Sequence, residues 1–165
     1  MYTIAQEREK FTVMKIISDA VDYMQVPYEY KGTGRPPLVP ADMIKACCYK
    51  VFCTLPSRRS LPELQISKAL GYISYVPSSN MINKYLAMER MLPYFDRLYR
   101  VLALPMIAIE HTFAVDSSGL GSFGKKRWFD ARLNQFERKD FIKVHAMIGV
   151  LTKIVTSVRI TPGTA

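Results

Sequence analysis

The residues best placed to do chemistry lie in Thr112–Leu120, TFAVDSSGL, where an apolar run ends on a carboxylate followed by two hydroxyls and a glycine. A carboxylate at the end of a buried run needs a partner, water or a metal, because its desolvation is otherwise costly. Asp116 is therefore the first candidate for a catalytic or metal-binding group, and its oxygen donors suit Mg²⁺ or Mn²⁺. It could equally start a turn and cap the amides that follow. Downstream, Lys125, Lys126, Arg127 and Trp128 open a basic tract that continues through Arg138 and Lys139. Cations with interleaved aromatics suit phosphates and bases. Lys143 and His145 follow on one face of an alternating segment, where they could point toward Asp116 or His145 could be a histidine satisfied under a loop. A second group, Arg58, Arg59, Asn80, Asn83, Lys84 and Arg90, sits on or near two predicted helices. Two helices joined by a turn can place the second in a major groove, with Asn and Arg reading base edges. A polar face of a helical bundle has the same composition.

The elements that must hold these residues divide the chain in two. Apolar residues at helical spacing predict a helix over residues 4–25. A second helix opens at Pro40 and is stopped by Pro56. Ser60 and Glu63 have the spacing of a capping box at the head of a third helix, closed by Gly71. A fourth begins near Ser79, and a fifth runs from Pro93 to Leu104. Residues 1–104 thus read as an all-helical region. After Pro105 the period changes. Residues 112–117 predict a strand, and alternation over 141–150 and 154–160 predicts an antiparallel hairpin. The fold class is α+β, and the three strands of 105–165, with an uncovered apolar face, read as part of a larger domain.

The charge pattern suits a polyanion partner, and equally the solvated faces of a basic protein. The net charge is +9, with +7 over residues 31–100 and +4 over 121–145, flanking a −2 segment that holds Glu110 and Asp116. The three cysteines cluster at 47, 48 and 53, as reduced core residues of a cytosolic protein rather than a disulfide framework. No apolar run approaches the ~20 residues of a membrane span.

VDSSG around Asp116, the basic tract, then Lys143-x-His145 and a hairpin ending in TPG at 161–163 resemble the start of the catalytic domain of insertion-sequence DDE transposases. GRPP at 34–37, SRRSLPEL at 57–64 and the PSSN start of helix four are similar to that family's helical region. The resemblance implies a ribonuclease-H-like fold, of which this chain holds the first strands, with Asp116 as the first of three carboxylates that bind two Mg²⁺ or Mn²⁺ ions. It implies transposon-end duplex DNA as partner, a homodimer as one form of assembly, and a prokaryotic, cytoplasmic, nucleoid-associated setting. Arg58, Arg59, Asn83, Lys84, the basic tract, Lys143 and His145 become DNA contacts. The family's second Asp and its Glu have no counterpart in these residues, so the expectation for this chain is DNA binding without cleavage. Two other classes fit the same residues: a non-catalytic helical module that binds DNA or protein, and a ribonuclease-H-like nuclease outside transposition.

Overall fold

A computed structural model describes residues 2–34, 36–121 and 141–162. It is an α+β chain of two compact units, residues 1–102 and 103–165. The described elements are α1 (Tyr2–Tyr23), α2 (Pro40–Phe52), α3 (Leu61–Ala69), α4 (Ser79–Leu86), α5 (Leu92–Ile107) and three strands, β1 (Phe113–Gly121), β2 (Phe141–Gly149) and β3 (Val155–Pro162). A 3-10 turn at Glu89–Met91 precedes α5.

In the helical unit, α1 buries Met14, Ile17, Val21 and Met24, spaced three and four apart. Ile4 and Phe11, expected on the same stripe, are exposed, since the core begins only at Val13. The helix ends before Pro27, through amide bonds from Met24 and Gln25 to Val21 and Asp22 and a left-handed Gln25 (φ 47°). α2 is the central element. It buries Met43, Ile44, Ala46, Cys47 and Tyr49, and the Tyr49 hydroxyl donates to the Met14 carbonyl at 2.8 Å. Burial pushes the Cys47 and Cys48 thiols up to about 12, and all three cysteines are free.

Ser60 and Glu63 do not form the expected capping box. Ser60 already has helical backbone angles, and its hydroxyl donates to the Ser57 carbonyl at 2.9 Å. Glu63 instead accepts from Lys10 of α1 at 2.8 Å. Gly71 does close α3. It takes φ 79°, and the amides of Gly71 and Tyr72 return to the carbonyls of Lys68 and Ser67, so a side chain here would meet backbone strain.

Residues 70–78 make a long connection between α3 and α4, and α2 holds it down. Ile73 and Pro77 are buried. Lys45, 5% exposed, donates to the Tyr72 carbonyl at 3.0 Å and to Asp22 of α1 at 2.7 Å. Asp42 accepts from the Ser74 amide at 3.0 Å and the Ser74 hydroxyl at 2.5 Å. An ammonium this deeply buried is stable only with such partners. α5 continues to Ile107, two residues past Pro105, where a break was expected. Pro105 falls in the last turn, where the lost N–H forfeits only one helical bond near a frayed end.

In the second unit the described strands form an antiparallel sheet in the order β1-β2-β3. β1 is longer than the expected 112–117: Ser117, Ser118, Gly119 and Leu120 pair with His145, Val144, Lys143 and Ile142 instead of turning away. β2 ends at Gly149, so Val150 belongs to the turn rather than to the alternating face. An irregularity at Met147/Ile148 leaves Thr156 without a counterpart and sets Val155 opposite Ile148. Val155, not Ile154, therefore shares the face of Val158 and Ile160.

Glu110 closes the turn between β2 and β3. Its carboxylate accepts from the amides of Leu151 and Thr152 and from the Thr152 hydroxyl, at 3.2, 2.8 and 2.8 Å. The Thr152 amide leads the bonds that hold the Glu110 carboxyl down at about 2, against an opposing desolvation effect. A Cβ at Gly149 would overlap that carboxylate, so a larger residue there would push Glu110 off the turn.

Two outcomes are expected. Because Glu110 is depressed in the fold, its contribution is complete above the ordinary glutamate range and fades as pH falls through about 4 toward 2. The Leu151 and Thr152 amide shifts should titrate with a midpoint near 2, and Glu110→Gln should abolish that titration. Separately, Asp42→Ala should lower stability by about 1–2 kcal/mol in urea unfolding at neutral pH, with unchanged helix content.

Candidate nucleic-acid interface

The helical unit brings Arg58, Arg59, Asn83 and Lys84 together. α4 buries Ile82 and Tyr85 against the core, with its backbone touching α2 where the Cys47 thiol meets the Ile82 carbonyl at 3.9 Å. The opposite face, Asn80, Asn83, Lys84 and Ala87, is exposed at i, i+3, i+4 and i+7 spacing. Ser78 caps the helix by accepting from the Met81 amide at 3.4 Å. Arg58 and Arg59 are exposed in the turn before α3, and their neighbour Ser57 donates to Asn83 Oδ1 at 2.5 Å. That bond ties the arginine turn to the polar face of α4. At the far end, the Arg90 guanidinium lies 6.0 Å from the centre of the Tyr85 ring. No acidic residue occurs between Leu64 and Met88, so nothing on α4 itself opposes an anion.

The sheet treats its candidates differently. Asp116 is the fourth residue of the nine in β1, so it is a mid-strand carboxylate and not the strand-terminal one expected. It is exposed, and its Oδ1 accepts from the Ser117 amide at 2.7 Å. It pairs with Ala146, which in turn pairs with Val158. Since paired residues share a face and neighbours alternate, Asp116 lies with Ala114, Ser118, Val144, Ala146, Ile148 and Val158. Lys143 and His145 pair with Gly119 and Ser117, on the other face. The expectation that they point toward Asp116 is thus corrected by register: an odd offset in pairing separates them. His145 Nε2 lies 3.0 Å from the Thr161 hydroxyl on β3, which accounts for the ring locally. Ser118 remains on the face of Asp116 and Ser117 does not.

Lys125, Lys126, Arg127, Trp128, Arg138 and Lys139 lie outside the described residues. Among the described residues, no group of three or more His, Cys, Asp or Glu is placed to hold a metal ion. Mg²⁺ demands near-octahedral oxygen ligation, and Asp116 shares its face with Ser118 and otherwise with alanine, valine and isoleucine, so among the described residues it is the one carboxylate there. The described residues therefore do not make a divalent-cation site, and no chemical step is derived through one. No helix among them is long and apolar enough to cross a membrane.

Ser57 is a neighbour of the Arg58, Arg59, Asn83 and Lys84 cluster that the sequence pattern does not single out. A serine before two arginines carries no signal, because its partner is 26 residues away. The position of Lys45 inside the apolar pattern of α2 likewise gives no hint of its buried ion pair with Asp22. No protein-family model, curated protein or solved structure matches this chain.

Proposed function

We propose that this chain binds duplex DNA through its helical unit and carries the beginning of a transposase-type catalytic domain, a ribonuclease-H-like fold in which Asp116 is one of the metal-binding carboxylates. The observation that carries the binding half is the Ser57–Asn83 bond, which joins two arginines to an acid-free polar helix face. Guanidinium groups pair with phosphate oxygens, while an amide and an ammonium on a helix reach base edges. The +7 charge of residues 31–100 steers a polyanion to the same unit.

The catalytic half rests on less. What supports it is the order of the parts: a basic helical unit, then an antiparallel β1-β2-β3 sheet with an exposed carboxylate midway along its first strand. In this reading Asp116 contributes one carboxylate to a set completed by acids other than those described. Asp116 would be one holder of a divalent ion in such a set, and the ion would supply Lewis-acid assistance to phosphoryl transfer.

One observation favours a second reading, a non-catalytic DNA-binding regulator. The Asp116 carboxylate is already bonded to the Ser117 amide and shares its face with Ser118 and aliphatic side chains, an arrangement any solvent-facing Asp can adopt.

Binding should follow salt. Measured by fluorescence anisotropy with a short duplex, log affinity should fall linearly with log salt, with a slope of about −2 or steeper. A flat dependence would contradict phosphate contact. In a protein carrying the complete catalytic set, Asp116→Asn should abolish metal-dependent strand cleavage and leave duplex affinity within about twofold. Cleavage at the parent rate would remove Asp116 from the site and leave the regulator.

A further inference from the structure

We infer that α4 is a sequence-reading helix whose Asn80, Asn83 and Lys84 face enters the major groove of duplex DNA, with Ser57 as the positioning residue that sets Asn83 relative to the phosphate-binding Arg58 and Arg59. The inference rests on the DNA-binding reading above and adds to it which element reads base sequence.

Four features argue for it. First, an α-helix with its side chains is about 10–12 Å across, so α4 can enter a major groove about 12 Å wide. Second, its outward residues are those that recognise bases. Asn carries both a donor and an acceptor, and Lys donates to the acceptor edges of guanine and thymine. The exposed fourth position, Ala87, is small enough to let the helix approach. Third, α4 cannot drift. Ile82 and Tyr85 seat it in the core, and its entry is fixed because the connection from α3 is held by Lys45 and Asp42. A helix that reads bases has to be presented by a rigid support. Fourth, the charges are arranged for a phosphate-flanked groove. Arg58 and Arg59 stand at one side through the Ser57–Asn83 bond, and Arg90 stands beyond the helix end, with no carboxylate between Leu64 and Met88. An acidic protein groove would satisfy the cations but would not need the two asparagines.

Ser57 then has a defined role. Its hydroxyl occupies an acceptor site on Asn83 Oδ1, which limits how the Asn83 amide can turn. Without it, Asn83 is free to rotate between base partners while the arginines keep their phosphates.

Selection from a random duplex library with the whole chain tests this, followed by affinity measurements on the selected and scrambled duplexes. The unmodified chain should select a defined sequence. Asn83→Ala should cost about tenfold on that sequence and erase the preference at one base pair. Lys84→Ala, as a second exposed variant, should relax a neighbouring pair. Arg58→Ala with Arg59→Ala should weaken all duplexes alike and flatten the salt slope by about 2. Ser57→Ala should change the base preferred at the Asn83 position with the salt slope and circular dichroism unchanged, and Ser57→Thr should restore it. Salt-dependent binding with no selected sequence, or an unchanged sequence in Asn83→Ala and Lys84→Ala, overturns the inference while DNA binding stands. Absence of duplex binding at low salt overturns both.

Discussion

The placement of α4 depends on one constraint: a connection of nine residues must be as firm as a tight turn. α2 provides this with two charged side chains one turn apart. Lys45 reaches inward to the Tyr72 carbonyl and to Asp22, and Asp42 reaches the backbone and hydroxyl of Ser74. Each charge is satisfied by groups that the fold must place anyway, so the ion pair costs little and fixes a backbone that has no regular structure of its own. Hydrophobic anchors at Ile73 and Pro77 complete the seat. The polar face of α4, and with it the arginine turn tied on by Ser57, inherits that rigidity.

The sheet is built around a comparable device of opposite chemistry. Glu110 gathers the amides of the β2–β3 turn into one carboxylate, and Gly149 leaves the space for it. The turn so fixed sets the register of β2 and β3. The separate pairing of β1 with β2 sets Asp116 opposite Ala146, and so on the other face from Lys143 and His145. A lone acid on that face is a weaker indication of chemistry than a carboxylate facing a lysine and a histidine. For this reason DNA binding is proposed ahead of catalysis.

Helices and their stops were legible where the signal is local. Pro40 and Pro93 stand in the first turns of α2 and α5, and Gly71 takes the left-handed angle that its place after a helical run suggests. The strands were legible from alternation, though not their ends, because β1 gains four residues from pairing with β2 that no local preference announces. The Ser60–Glu63 box failed because Glu63 had a better partner in Lys10, 53 residues away. Lys45, Glu110 and Ser57 share that cause: each acts through a contact distant in sequence. Residue types pointed to Arg58, Arg59, Asn83 and Lys84, whereas only the fold could show that a single serine hydroxyl joins them.

The most direct measurement is a two-dimensional amide spectrum of the chain titrated with a short duplex. The account predicts shifts concentrated at Arg58, Arg59, Asn80, Asn83 and Lys84, with the α1 surface around Lys15 and Asp19 unmoved. Shifts centred on α1 or on the sheet, with α4 silent, would contradict it.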